Sequence, residues 1–167
     1  MKTLIVCGLL VALLVPATSG AAEPAPKKAT RPAAEATRTA VQAFVKAYVD
    51  AANRADITAM MEMVSRKEGV ATIGDGEIER GWEAIRQGND DMVGAEGSFK
   101  ISVGSIDVLP LGASAAVAIA PLSTTLVTAA GAVQASGAMT LVLEKTAGKW
   151  LIIHEHVSHQ VPEAEGD

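Results

Sequence analysis

A chain of 167 residues with 14 basic and 19 acidic side chains, a formal charge of −5 and 49% apolar residues is long enough for one domain with a real core and too short for two. The mildly acidic balance, with no basic cluster, argues against nucleic acid and anionic membrane surfaces as main partners. Aromatic residues make up only 3% of the chain, so each carries unusual weight as a core anchor or cavity wall.

The first segment in chain order reads as a secretory signal over residues 1–22. Lys2 supplies a minimal positive start, Leu4 to Val15 form an apolar run too short to span a bilayer comfortably, and Pro16 and small residues follow. Ser19-Gly20-Ala21 and Gly20-Ala21-Ala22 are the cleavage sites this pattern offers; the alternatives are an uncleaved anchor or a mis-assigned start. The single cysteine, Cys7, lies inside the apolar run, so cleavage leaves a chain with no disulfide and no thiol chemistry. The expected location is periplasmic or secreted, with no stable membrane association after cleavage. Residues 23–34, rich in Pro, Ala and charge, read as a linker, 35–160 as the domain, and 161–167 as an acidic, frayed tail.

Val41, Phe44, Val45, Tyr48, Val49 and Ala52 recur at helical spacing and predict one long amphipathic helix from about Ala34 to Asn53. Asp56 is a good N-cap for a shorter helix with Ile57, Met60, Met61 and Val64 on its apolar face. Val70 to Gly74 reads as a short strand, Asp75-Gly76 as a turn, and Trp82, Ile85 and Met92 as a third helix starting after Gly81. From Ser98 the period changes to two. A strand at Phe99–Val103 continues toward Leu109, and a long strand runs from Ala113 to about Thr128. Val133–Lys145 and Trp150–Ser158 complete the set. Pro121 inside the long strand implies an edge position or a bulge there. Helices first and a meander of long strands after is an α+β order, with helices covering one face of a curved sheet.

The last strand carries the most chemistry. Strict alternation would place Trp150, Ile152, His154, His156 and Ser158 on one face, a tryptophan beside two imidazoles and a hydroxyl, as a partly apolar, partly polar cavity wall would require. The two imidazoles would lie ~7 Å apart, able to act as acid and base, to bind a carboxylate, or to give two ligands to a metal. Two ligands do not define a zinc site, and no spacing selects a third among Asp75, Glu77, Asp90, Asp91 and His159. No metal and no cofactor are therefore expected. Trp82 reads as a pocket lid or a core anchor, and Met60, Met61 and Met63 as packing.

Three segments resemble the SnoaL-like group of the nuclear-transport-factor-2-like superfamily: Tyr48-Val49-Asp50-Ala51-Ala52-Asn53 with Asp56-Ile57, Gly81-Trp82-Glu83-Ala84-Ile85-Arg86, and Ser136 to Lys145 with Gly148-Lys149-Trp150 through Ser158. The last is also similar to the closing strands of the association domain of calcium/calmodulin-dependent kinases. The resemblance implies three N-terminal helices on a strongly bent antiparallel sheet, a cystatin-like roll enclosing a cone-shaped pocket, and a homodimer formed through the sheet. It also implies that Tyr48 and Asp75 occupy the places where steroid-isomerase-like members carry an oxyanion donor and a base, a phenol donating to a developing enolate while a carboxylate moves the α-proton. The family's third element, a protonated acid on the penultimate strand, has no counterpart, because Met139 and Thr140 stand there. The plainer reading of both residues stays open: a helix residue with its hydroxyl at the rim, and an ordinary Asp-Gly turn.

The fold hosts isomerases, dehydratases, binders and assembly modules alike. The expected function is an exported protein binding a small apolar or amphipathic molecule, with Trp82, Thr140 and Ser158 contacting the ligand. The alternatives are an isomerase or dehydratase transferring protons through Tyr48 with Asp75 or His154/His156, and a homo-oligomeric assembly module.

Overall fold

In the computed structural model, residues 30–94, 98–129 and 131–160 are described; the segment read as a signal, residues 23–29 and the tail 161–167 lie outside them. Helix α1 spans Arg31–Asn53, so it begins inside the stretch read as linker, with Pro32 in its first turn where the missing N–H costs nothing. Val41, Val45, Tyr48, Val49 and Ala52 form its buried face. The side chain of Asn53 clamps the end of α1 to strand β3 (Ser98–Val103) by donating to the Ile101 carbonyl (2.8 Å) and accepting from the Ile101 amide (2.7 Å). Helix α2 (Ile57–Glu62) is capped as expected, by Asp56 accepting from the Ala59 amide, and α3 spans Trp82–Gly94.

Strands β1 (Ala71–Gly74) and β2 (Glu77–Arg80) form a hairpin whose two-residue turn, Asp75-Gly76, has positive φ at both positions, as a primed turn requires. The turn is the one expected from sequence; the strand after it is not. Strands β4 (Asp107–Pro110), β5 (Ala115–Thr128), β6 (Gly131–Thr146) and β7 (Lys149–His159) complete one sheet with β3, in the order β2-β1-β7-β6-β5-β3, with β4 also on β5.

The sheet is strongly curved, unclosed and mixed rather than purely antiparallel, because β1 runs parallel to β7. Pro121 sits where β3 ends and β4 has not begun, so no ladder partner on that side is denied an N–H, and its carbonyl accepts from the Gly104 amide at 3.0 Å. The strand expected to run on to Leu109 is thus two strands with a break opposite the proline. The core lies between α1, α2 and the concave face of the sheet. Val41, Val45, Ile85, Leu141, Leu143 and Ile152 are its most deeply buried large side chains.

Candidate functional site

One residue decides which side chains of β7 face the interior. Leu143 pairs with Ile152 and Val142 with His154, so Ile153 is an extra residue with no partner on β6. A bulge of this kind shifts alternation by one. Before it, Trp150 and Ile152 point to the core; after it, Glu155, Val157 and His159 do. His154, His156 and Ser158 stand on the opposite, outer face, His156 and Ser158 exposed, beside Thr140, which pairs with His156. The shared face expected from strict alternation is therefore corrected: the tryptophan and the two imidazoles look opposite ways.

Between that concave face and the helices lies a cavity of about 490 Å³. Its apolar side includes Met60, Phe99, Ile101, Leu122, Leu126 and Met139. Tyr48 and Glu155 meet inside it. The Tyr48 hydroxyl donates to Glu155 Oε2 at 2.8 Å, and the two residues are only 5% and 8% exposed. Burial pushes the Glu155 carboxyl up from 4.5 to about 7; the bond from Tyr48 pulls the other way, and the negative charge of Glu79 adds to the rise. Burial also raises the Tyr48 phenol well above its ordinary value, and the Glu155 charge raises it further. At neutral pH the pair is a neutral phenol hydrogen-bonded to a carboxyl poised between its two protonation states.

At another edge of the cavity three side chains form a chain of hydrogen bonds. Asp75 Oδ2 lies 2.8 Å from His159 Nδ1, Asp75 Oδ1 accepts from the His159 amide at 2.8 Å, and His159 Nε2 lies 3.0 Å from Thr124 Oγ1. The His159 side-chain bond, then its amide bond, hold the Asp75 carboxyl below its usual value. All three residues line the cavity. An imidazole that donates Nδ1–H to a carboxylate presents Nε2 as an acceptor, and the Thr124 hydroxyl is placed to donate a hydrogen bond to it. Gly137, opposite His159 on β6, makes the close approach of β7 possible, since a Cβ there would come 2.1 Å from the Ser158 carbonyl oxygen.

The third polar feature is a row across three strands. Thr72 on β1 pairs with Glu79 on β2 and with Glu155 on β7, and all three line the cavity. Burial raises the Glu79 carboxyl, and the charges of Glu77 and Asp91 raise it further.

Of the residues singled out from sequence, Tyr48 and Asp75 do face one cavity. His154, His156, Ser158, Thr140 and Trp82 do not line it. Trp82 is an anchor: its indole N–H donates to the Met61 carbonyl at 3.1 Å and the Arg66 guanidinium stacks 3.6 Å from its ring centre. Met60, read as packing, is part of the cavity wall. Sequence reasoning missed Glu79, Thr124 and Glu155 as site residues and raised His159 only as one of several possible third metal ligands. The Asp-Gly turn followed by alternating Glu77-Ile78-Glu79-Arg80 is a hairpin signal that would have placed Glu79. For Glu155, the uninterrupted apolar run Trp150–Ile153 hides the bulge, because either face satisfies it.

A pocket between a helix layer and the concave face of a bent sheet, with a buried phenol–carboxyl pair inside, defines a small cavity-bearing α+β roll. The chain belongs to the SnoaL-like domain family, whose model matches residues 41–162. Solved structures agree at the level of fold. A nuclear transport factor 2-like superfamily protein from Salmonella enterica is 22% identical with a TM-score of 0.67, covering 78% of this chain and 98% of its own. A ketosteroid isomerase-like protein from Erwinia carotovora atroseptica is 22% identical with a TM-score of 0.66, covering 74% and 96%. A protein with a cystatin-like fold from Caulobacter vibrioides is 22% identical with a TM-score of 0.65, covering 75% and 91%. Likeness at this identity establishes the fold alone. No curated protein matches the chain in sequence.

Proposed function

We propose that this protein is an exported small-molecule-binding protein, holding a largely apolar ligand in the cavity with the polar end of that ligand against the Tyr48–Glu155 pair. The observation that carries this reading is the cavity itself. At about 490 Å³ it falls in the usual range for ligand sites, and it joins apolar walls to a few convergent polar groups. Export is supported by the apolar run Leu4–Val15 and the small residues after it. Pairing with a second copy through the outer sheet face is supported by the half-exposed Ile119 there. Calorimetric titration of the protein with a panel of aromatic and alkyl compounds tests the reading. Saturable binding that Met139→Trp abolishes by filling the cavity is expected; no binding across the panel refutes it.

A second reading, an isomerase or dehydratase acting by proton transfer, is favoured by one specific arrangement. A carboxyl at Glu155 that burial keeps partly protonated at neutral pH and an imidazole at His159 held by Asp75 face the same void, which is what paired acid and base chemistry needs. A similar protein is described as ketosteroid isomerase-like, which fits that arrangement. Here His159, held by Asp75, takes the α-proton and returns it to the γ-carbon, while protonated Glu155, which accepts the Tyr48 hydroxyl at Oε2, donates from its other oxygen to the carbonyl oxygen of the dienolate. Conversion of a β,γ-unsaturated ketone to its conjugated isomer, followed by ultraviolet absorbance, tests it. A rate above buffer that His159→Gln removes is expected, and a rate equal to buffer refutes it.

A further inference from the structure

The cavity holds four carboxylates, Asp75, Glu77, Glu79 and Glu155, and one basic side chain, His159, which Asp75 already engages. Among the described residues the ion pairs are Arg38–Glu35, Lys67–Glu144, Arg86–Asp90 and His159–Asp75, so none of Glu77, Glu79 and Glu155 has a cationic partner. Glu155 is more than nine-tenths buried. Tyr48 bonds its Oε2, and no described group donates to its Oε1.

Register makes this an ordered arrangement rather than a loose collection of acids. Glu79 and Glu155 flank Thr72 in one cross-strand row, two strand spacings or roughly 10 Å apart at Cα. Gly88 on α3 leaves room for the Glu79 carboxylate, since a Cβ there would come 1.7 Å from Glu79 Oε1. The groups that reach Glu79 electrostatically, Glu77 and Asp91, are themselves acids. An unpaired carboxylate taken out of water is costly when charged, and a cation with N–H donors removes that cost.

We propose that the cavity selects an amphiphilic organic cation, an amine whose apolar body lies against Phe99, Ile101, Leu122 and Met139 and whose ammonium meets the Glu79–Thr72–Glu155 row. The inference rests on the reading of the cavity as a ligand site. An ammonium has three donors and no acceptor. Glu155 Oε1, the Glu79 carboxylate and the Thr72 hydroxyl are acceptors lining the cavity from β7, β2 and β1, while Phe99, Ile101, Leu122 and Met139 line it from β3, β5 and β6. Among the described residues no three His, Cys, Asp or Glu are arranged to hold a metal ion, so the row suits an organic cation. A carboxylate ligand would meet like charge, and a neutral alcohol would leave Glu79 without a partner.

Three compounds sharing one body test this: 4-phenylbutylamine, 4-phenylbutan-1-ol and 4-phenylbutyrate, titrated calorimetrically into the full chain at pH 8. The amine is expected to bind at least about tenfold tighter than the alcohol, which corresponds to one good charge-assisted contact, with the carboxylate weakest. In Glu155→Gln, which keeps an acceptor for Tyr48, the amine-to-alcohol ratio falls toward one; Glu79→Gln lowers it partway. If alcohol or carboxylate binds as tightly as the amine, the cation inference is overturned while the binding reading stands. If none binds, both fall. An amine preference that survives in Glu155→Gln and Glu79→Gln belongs to the acidic surface, and also overturns the assignment to this row.

Discussion

Replacing Glu155 with glutamine removes a buried titratable group and changes almost nothing else. The amide oxygen still accepts from Tyr48, and the volume is conserved. In the wild-type protein the carboxyl ionises near 4.5 when unfolded and near 7 when folded, so between those values the folded state holds a proton that the unfolded state has lost. Stability therefore falls as pH rises through that window and levels off above the folded value. Each tenfold difference in proton affinity between the two states is worth ~1.4 kcal/mol, so the loss between pH 5 and pH 8 is on the order of 2–3 kcal/mol. The Glu79 carboxyl is raised partly by burial, so it adds in the same direction, but it remains in both proteins. Urea denaturation of both proteins at pH 5, 6, 7 and 8 isolates the Glu155 contribution as their difference. Glu155→Gln should gain on the order of 2–3 kcal/mol on wild type over the range, roughly 1–2 M in urea midpoint. A difference that stays constant from pH 5 to pH 8 would refute the buried-acid argument.

Tyr48→Phe leaves Glu155 Oε2 without its donor and should cost about 1–3 kcal/mol at pH 7. Because that bond pulls the Glu155 carboxyl downward, its loss should move the Glu155 titration higher, visible in the carboxyl carbon shift by NMR. Gly137→Ala sets a Cβ against backbone at Ser158, so β6 and β7 must part; a destabilisation of about 1–3 kcal/mol by urea titration is expected. Asp75→Ala removes a half-exposed partner of His159, so stability should change by less than about 1 kcal/mol while hydrogen exchange of the His159 amide accelerates. The Asp75 carboxyl is lowered in the fold, so its stabilisation is complete above the ordinary aspartate value and is lost as pH falls through the depressed one. Gly88→Ala relieves a glycine in a helix, worth up to ~1 kcal/mol, but displaces the flexible end of Glu79. Its melting temperature should hold or rise while its preference for 4-phenylbutylamine over the alcohol weakens.

Periodicity made most of this architecture legible. The helical spacing from Val41 to Ala52, the Asp56 cap and the change to period two after Ser98 reflect local rules that tertiary packing did not override. What stayed hidden was a one-residue event. Ile153 has no partner on β6, yet in the sequence it is one more aliphatic residue in Trp150–Ile153, a run that suits an inward or an outward face equally well. The insertion moved the predicted site from His154, His156 and Ser158 to Glu155, Val157 and His159. Backbone pairing beyond β6 accompanies it: Ile152 exchanges hydrogen bonds with Met63 and Ser65, whereas from His154 onward β7 pairs with β1. A partner that changes along one edge is information no local pattern carries. The acid missing from the penultimate strand was sought one strand too early, since Glu155 on the last strand is the carboxyl that meets Tyr48.

Burial of Glu155 raises its carboxyl to about 7, and the two functional readings want opposite forms of it. A proton-transfer enzyme needs the carboxyl neutral, to donate beside Tyr48, and should lose turnover as pH rises through about 7. A site for an organic cation needs the same carboxyl charged. Its affinity should rise over that interval and level off above it, provided the amine itself stays protonated. The titratable groups facing Glu155 are Tyr48 from α1 and Glu79 from β2. The phenol is held far above neutrality, and ionisation of Glu79 acts in the same sense, since it also favours a bound cation. The other ionisable groups of the cavity, Asp75, Glu77 and His159, are common to wild type and Glu155→Gln, so the difference between the two profiles isolates Glu155. Measuring 4-phenylbutylamine affinity from pH 5.5 to 8.5 separates the readings without knowledge of the natural ligand. Affinity that rises through pH 7 in wild type and is flattened in Glu155→Gln supports cation binding. Affinity that falls as pH rises would refute it and leave the neutral acid, with its hydrogen bond to give, as the form the cavity uses.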